Sequence, residues 1–350
     1  MAHALTLGRR GMGRVWPNPA VGCVIVADGR VVGRGWTADG GRPHAETIAL
    51  AQAGDAVRGA TAYVTLEPCS HHGKTPPCAE ALIAAGVARV VVALGDPDPR
   101  VAGRGIAALQ AAGIEVITDV CADQARADHA GFLARVVAGR PFLTLKLASS
   151  FDGRIATATG ESQWITGADA RRAVHALRAR HDAVMVGAGT ARADDPTLTV
   201  RGIGVTRQPV RVVVSGRLDL PVDSALLRSL DVAPLWICHG GDVADKDVAA
   251  WEKRGAVMLP CGSAADVMAQ LGAAGLTRVL CEGGGSLAAS LVQADVVDQL
   301  VGFSAGVALG ADGTPAIGAL GVKRLGDAPR FVLVDHRRIG ADLMHTWQRA

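Results

Sequence analysis

Short apolar, β-branched runs alternate with Ala-rich stretches of helical character along most of the chain. The runs at 21–26, 31–35, 62–66, 89–94 and 115–117 read as strands, and the stretches at 44–53, 78–85 and 105–112 read as helices. Strand and helix in turn is the rhythm of an α/β layer, in which helices cover a sheet. A polar helical stretch at 122–138 leads to Gly139-Arg140-Pro141, where two strong chain breakers mark a turn. A second cycle follows, with strands at 142–147, 183–186, 210–214, 235–238, 277–281 and 299–303 and helices at 168–180, 242–254, 263–271 and 286–293. The break predicts two α/β domains, 1–140 and 141–350, and 350 residues suits that count at ~150 residues per domain. No internal repeat relates the halves, so they are different domains rather than copies.

Composition narrows the function. Hydrophobic residues make up 49% of the chain, with a mean hydropathy of +0.25, enough to fill two cores. No apolar run approaches the ~18 residues of a membrane span, which predicts a chain with no membrane partner. The 36 Lys+Arg and 33 Asp+Glu leave a net charge of +3, and the basic residues are scattered. That pattern argues against disorder and against a nucleic-acid partner, and leaves room for a local anion site. Arg9-Arg10 is followed by Gly11-Met12-Gly13-Arg14, where a twin-arginine export signal would need apolar residues. Seven cysteines is an odd number, and two of them stand among metal-ligand residue types, which suits a reducing cytoplasm better than a disulfide framework.

The first half carries the residues for a hydrolytic metal site. His44-Ala45-Glu46 opens a helical stretch, Glu67-Pro68-Cys69 follows a strand, and Cys78 begins another helix. One imidazole and two thiolates make three corners of a tetrahedral zinc site, with the fourth left for water. Bound zinc acidifies that water, and an unligated carboxylate beside it, Glu46, can shuttle protons to a ring nitrogen and a departing amine. Nucleobase deaminases use an H-x-E…P-C-x-x-C pattern; the first part matches here, and the cysteine spacing is longer. A closed structural zinc site, with His71 or His72 as a fourth ligand, is the competing reading. Cys23, Cys238 and Cys281 read as core residues at strands.

Trp16-Pro17-Asn18-Pro19-Ala20-Val21-Gly22-Cys23, Pro43-His44-Ala45-Glu46 and the run from Thr65 through Glu67-Pro68-Cys69-Ser70-His71-His72-Gly73-Lys74 to Cys78 closely resemble the deaminase half of the bifunctional riboflavin biosynthesis deaminase-reductases. The resemblance implies a cytidine-deaminase-like three-layer α/β fold. It implies zinc on His44, Cys69 and Cys78, and Glu46 as proton donor. The substrate it implies is a diaminopyrimidine bearing a ribosylamino 5′-phosphate, contacted by Asn18, His71 and Lys74. Independently of the family, a loop with two His and one Lys beside the metal ligands favours an anionic small molecule.

The second half is less explicit. Lys146 interrupts an apolar strand, a position that burial alone assigns to a sheet edge or to snorkelling. Trp164 stands in a loop before a helix, either packed in a core or against a cofactor. Gly187-Ala188-Gly189-Thr190 and Glu282-Gly283-Gly284-Gly285-Ser286 each follow a strand and read either as turns or as phosphate cradles. Neither fits the G-x-G-x-x-G fingerprint, so an ordinary dinucleotide fold is not expected.

Lys146 with Ala148 and Asp152-Gly153, the run Ser162-Gln163-Trp164-Ile165-Thr166, Arg178, Thr190, the run from Asp194 to Arg201, and Glu282-Gly283-Gly284-Gly285 resemble the reductase half of the same family. The resemblance implies a dihydrofolate-reductase-like α/β domain that uses NADPH. By it, Ala148, Trp164, Thr190, Asp194 and the loop Gly284, Gly285, Ser286, Leu287, Ala288, Ala289 and Ser290 bind the cofactor, with Gly216 contributing through its backbone. Ser162, Arg178, Thr197, Arg201 and Glu282 contact the substrate, and Lys146 and Glu282 are the catalytic pair. Ser215-Gly216 replaces an Asp-Ser pair common in the family, and 305–320 lacks its usual Lys-Leu-Leu-Gly run. The family reading is a small-molecule enzyme that deaminates a phosphorylated pyrimidine and then reduces its ribosyl group. The Ala- and Val-rich second half adds the expectation of a homodimer or higher homo-oligomer. The competing readings are a deaminase fused to a non-catalytic binding module and a nucleic-acid base deaminase. The latter is disfavoured by one Tyr and five Phe in the whole chain.

Overall fold

A computed structural model of the chain describes residues 1–71 and 76–350. The chain divides into two compact units, Met1–Gly139 and Arg140–Ala350.

In the first unit the elements run α1 (Ala2–Gly8), β1 (Gly22–Ala27), β2 (Arg30–Trp36), α2 (Ala45–Ala53), β3 (Thr61–Val64), α3 (Cys78–Ala85), β4 (Arg89–Val92), α4 (Arg104–Ala111), β5 (Glu115–Ile117) and α5 (Ala122–Ala138). The sheet order is β2-β1-β3-β4-β5. β1 is antiparallel to both its neighbours, and β3, β4 and β5 are parallel. Side chains alternate across a strand, and β1 shows it. Cys23 and Ile25 enter a core with Ala45, Ala49, Leu82 and Leu109, whereas Val24 packs with Ala4 and Leu7 of α1. Helices thus cover both faces, giving three layers.

Glycines set how closely the helices lie. A Cβ on Gly33 or Gly35 of β2 would stand 2.2 Å from the Ala49 carbonyl oxygen or 2.0 Å from that of Ala45, both in α2. On the other face, one on Gly22 would meet the Ala4 carbonyl oxygen of α1 at 1.9 Å. Backbone cannot yield as a flexible side chain can, so Gly35→Ala is expected to destabilise the first unit by about 2 kcal/mol or more. Thermal unfolding of the variant measures this.

The second unit runs β6 (Phe142–Ser150), β7 (Arg154–Ala156), α6 (Ala168–Ala179), β8 (Ala183–Gly187), α7 (Ala188–Asp194), β9 (Val210–Ser215), α8 (Ala225–Arg228), β10 (Leu235–His239), α9 (Asp245–Glu252), β11 (Val257–Pro260), α10 (Ala264–Ala273), β12 (Arg278–Cys281), α11 (Gly285–Gln293), β13 (Gln299–Ala305), β14 (Thr314–Pro315), β15 (Phe331–Ile339) and β16 (Asp342–Arg349). Nine of these strands form one sheet, ordered β11-β10-β9-β8-β12-β6-β13-β16-β15. Pairing is parallel from β11 to β13 and antiparallel through β16 and β15. A buried carboxylate pins its centre: Asp182 accepts from the backbone N–H groups of Thr277 and Arg278 at 2.6 and 2.8 Å and from the Thr277 hydroxyl at 2.7 Å.

Several elements differ from the sequence reading. The helix expected at 242–254 is confined to Asp245–Glu252. α1, α7, β11 and the β15–β16 hairpin have no counterpart in it. α1 and α7 span seven residues each and β11 spans four, too few to show a period. β15 is solvent-facing at seven of its nine positions and carries Asp335, His336, Arg337 and Arg338, so its apolar alternation is lost. Lys146 is not at a sheet edge: β6 lies between β12 and β13. Cys23, Cys238 and Cys281 are buried, as expected of core residues.

Candidate active sites

The first site gathers three chain segments. His44 is the extended residue that precedes α2, Cys69 follows β3, and Cys78 is the first residue of α3. Their ligand atoms all lie within 4.8 Å of one another. His44 Nδ1 is 3.3 Å from Cys78 Sγ and 3.6 Å from Cys69 Sγ. Zinc bond lengths of ~2.3 Å to sulfur and ~2.0 Å to nitrogen at a tetrahedral angle put N and S ~3.5 Å apart, so the donor set fits the ion. The Cys78 N–H donates to Cys69 Sγ at 3.3 Å. Hydrogen bonding from the Cys78 thiol is the largest cause that pushes Cys69 down to about 4, and thiolate is the form that ligates metal. Among the described residues the ligand group holds these three only. His71 lines the adjoining cavity instead, and His72 and Lys74 lie outside the described residues.

Glu46, in the first turn of α2, is 4% exposed. Burial, then the charge of Cys69, pushes its carboxyl up to about 7, the range in which a group both takes and gives protons near neutrality. A cavity of about 320 Å³ opens beside it, lined by Asn18, Arg42, His71, Asp96, Asp98 and Arg100 among others. Gly41, at φ 88°, lies where a Cβ would strike the Asn18 amide, so the missing side chain leaves room for that amide at the cavity wall. Glu67 organises the opposite wall. Its carboxylate accepts backbone N–H groups from Asp96, Gly103, Gly105 and Ile106 at 2.9–3.2 Å, tying the segment after β4 to the Pro68-Cys69 turn. Burial pushes Asp96 up to about 6. Arg42, Asp96, Asp98 and Arg100 are absent from the sequence reading. The charged Asp96-Pro97-Asp98-Pro99-Arg100 turn after a strand was the available signal.

The second site is a cleft in the second unit. Its two overlapping parts have volumes of about 720 Å³ each and share Lys146, Ala148, Ser162, Thr190, Asp194 and Glu282. Glu282, immediately after β12, receives a bidentate pair from Arg178 of α6, Nε to Oε1 at 2.5 Å and Nη2 to Oε2 at 2.8 Å. The two side chains are only 10% and 11% exposed. Arg178 Nη1 also donates to the Thr199 carbonyl at 2.8 Å. Burial works to raise the Glu282 carboxyl, but Arg178 and then Lys146 outweigh it and hold it below the usual carboxylate range. Burial lowers Lys146, Glu282 opposes that, and Arg178 reinforces it.

Trp164, Thr197 and Arg201 line one part of the cleft, and Gly284, Gly285, Ser286, Leu287 and Ser290 line the other. Gly283 and Gly284 take positive φ at the turn into α11, and a Cβ on Gly284 would meet Thr190 Oγ1 at 3.1 Å. That bare backbone at a helix start is the cradle a cofactor phosphate requires. Trp164 is 68% exposed, which overturns the core-packing alternative. Ala288 and Ala289 are buried within α11. Gly216 lies just past β9, where its carbonyl accepts the Gly240 N–H at 3.0 Å. Sequence reasoning missed Arg171 and His175, which line the cleft beside Arg178; the spacing of 171, 175 and 178 on one helical face was the available signal.

Residues 141–345 match the family model of the RibD C-terminal domain, and residues 1–94 match that of the cytidine and deoxycytidylate deaminase zinc-binding region. The riboflavin biosynthesis protein RibD of Escherichia coli (strain K12) is 42% identical over 98% of this chain and 96% of its own length. The chain belongs to the RibD family. Acinetobacter baumannii RibD, form 1, superposes with a TM-score of 0.91 at 38% identity, covering 100% of this chain and 97% of that one. A structure from Thermotoga maritima, described as a diaminohydroxyphosphoribosylaminopyrimidine deaminase/5-amino-6-(5-phosphoribosylamino)uracil reductase, superposes with a TM-score of 0.89 at 32% identity over the same shares. Among the described residues no helix is long and apolar enough to cross a membrane.

Proposed function

We propose that this RibD-family chain performs two successive steps of riboflavin biosynthesis. The first is hydrolytic deamination of 2,5-diamino-6-(ribosylamino)-4(3H)-pyrimidinone 5′-phosphate in the first unit. The second is NADPH-dependent reduction of the resulting 5-amino-6-(5-phosphoribosylamino)uracil in the second. The observation that carries the reading is the buried Glu46 carboxyl beside a three-ligand His44, Cys69 and Cys78 cluster, in a chain whose other unit holds the Lys146, Arg178 and Glu282 group.

In the first reaction water adds to the amine-bearing ring carbon and ammonia leaves. Zinc on His44, Cys69 and Cys78 supplies the Lewis acidity that makes water nucleophilic near neutral pH. Glu46 accepts the proton of the attacking water and delivers it to the ring nitrogen, then takes the hydroxyl proton of the adduct as the carbonyl forms and passes it to the amine, which leaves as ammonia when the C–N bond breaks. Asn18 reads the pyrimidine with its amide, and His71 and Lys74 contact the substrate. A cavity of about 320 Å³ supports a small phosphorylated pyrimidine rather than a nucleic acid.

In the second reaction the ribosylamine opens to its imine, which is reduced to a ribityl chain at the former anomeric carbon. NADPH supplies the hydride. Lys146 and Glu282 hold charge and protons at the opening sugar, and Arg178 and Arg201, with Ser162 and Thr197, bind the phosphorylated chain. Ala148, Trp164, Thr190, Asp194 and the start of α11 from Gly284 to Leu287, with Ser290, hold the cofactor, and Gly216 contributes backbone; Ala288 and Ala289, buried within α11, back this wall without facing the cleft. Self-association belongs to the same reading and is supported by the exposed Val332, Leu333 and Val334 on the edge strand. So does a reducing, cytoplasmic setting, in which two thiol ligands stay unoxidised.

The test supplies the diaminopyrimidine phosphate with and without NADPH and identifies products by mass. The uracil should accumulate without NADPH and the ribityl product should form with it. A chelator should stop ammonia release while leaving NADPH oxidation on supplied uracil intermediate intact. Loss of neither activity, or of both together, refutes the assignment of one metal site to one reaction.

A further inference from the structure

A ring that is two-thirds exposed is not held in place by burial, yet Trp164 has a defined place on the cleft wall. The guanidinium carbon of Arg171 lies 4.5 Å from the centroid of the Trp164 ring. Arg171 Nη1 also donates to the Thr166 carbonyl at 2.7 Å. One side chain on α6 thus touches the 162–167 loop twice, at the indole face and at the backbone two residues on. The loop's far end is anchored separately, since the Gly167 N–H donates to Asp342 Oδ2 at 2.7 Å. Arg171 lies one helical turn from His175 and two turns from Arg178, on the cleft-facing side of the helix.

We infer that Arg171 is a positioning residue for cofactor binding, acting through Trp164: its planar cation stacks on one face of the indole and fixes the ring so that the loop presents a preformed wall to NADPH. This rests on the reading that Trp164 contacts the cofactor. Guanidinium suits the task because it stacks on an aromatic face while its N–H groups bond in the plane, which an ammonium cannot do. Without Arg171 the exposed indole samples other rotamers, and NADPH has to order it on binding.

The experiment is a double-mutant cycle on the full chain, with NADPH affinity measured by equilibrium titration and by KM in the reductase assay. Arg171→Ala and Trp164→Ala should each weaken NADPH binding, by about five- to tenfold for Arg171→Ala. The double variant should be no weaker than Trp164→Ala alone, because a residue that acts through another adds nothing once that other is gone. kcat and the KM for the uracil intermediate should stay near wild type in Arg171→Ala, and Arg171→Lys, which keeps the charge without the plane, should recover only part of the affinity. Unchanged KM for the uracil intermediate also shows that the cleft is folded. Additive losses would show that Arg171 binds NADPH itself and would overturn the inference. So would an Arg171→Ala variant with wild-type affinity while Trp164→Ala is impaired. If Trp164→Ala binds NADPH normally, the underlying reading of Trp164 fails, and the inference fails with it.

Discussion

Glu46→Gln is expected to lower ammonia release by about a thousandfold, the middle of the range for loss of a general acid–base group, while zinc content stays at the wild-type level. The amide fills the same buried volume in the first turn of α2 and leaves His44, Cys69 and Cys78 untouched. What it removes is the group that holds a proton between water and amine, a task suited to a carboxyl raised to about 7 by burial. Metal analysis and an ammonia assay on the same preparation decide the matter. A variant that keeps both metal and turnover would show that the proton travels by another route. NADPH oxidation on supplied uracil intermediate should be unaffected.

Glu282→Ala is expected to be the most damaging change in the second unit, on stability and catalysis together. The Arg178 side chain is nearly buried and Lys146 is half-buried, and Glu282 is the anion whose charge acts on both. Removing one partner of a buried ion pair strands the other, at about 3–5 kcal/mol. Glu282→Gln separates the two effects, since it keeps hydrogen-bonding capacity for Arg178 but not the charge. Its stability loss should be smaller and its loss of reduction nearly as large. Glu282 is the group that props up the Lys146 proton against burial and Arg178. Without that charge Lys146 deprotonates at lower pH, and the basic limb of the reduction profile should move to lower pH. Chemical unfolding and a pH series with supplied uracil intermediate measure both outcomes. A Glu282→Gln enzyme with wild-type rate and profile would remove Glu282 from the chemistry.

The first site was more legible in the sequence than the second because its chemistry comes in contiguous pieces. His44-Ala45-Glu46 and Pro68-Cys69 state ligand and proton carrier within a few residues, at the starts of elements that hydrophobic pattern alone can place. Asp96 stands in a charged turn whose place in the fold the pattern does not give; it reaches the cavity because Glu67 ties the 95–106 segment inward through four backbone bonds, and Arg42 carries no local sign at all. In the second unit, burial statistics assign a strand lysine to an edge, and only the strand order shows Lys146 flanked on both sides. Arg171 was invisible for a different reason. Its partner is a loop indole seven residues earlier in the chain, and only the folded loop brings the ring beneath the guanidinium. The β15–β16 hairpin went unread because its charged residues face solvent and blur the alternation.

The bare patch on β2 has one more outcome. His44 and Glu46 ride on a helix whose depth is set by what Gly33 and Gly35 lack, whereas Cys69 and Cys78 ride on other segments. A single methyl group under that helix would lift the imidazole and the acid as a pair, away from two sulfurs that stay where they are. Metal affinity in this protein is thus a ruler for the gap between one strand and one helix, and it should register a shim placed under Ala45 or Ala49, which are not ligands themselves.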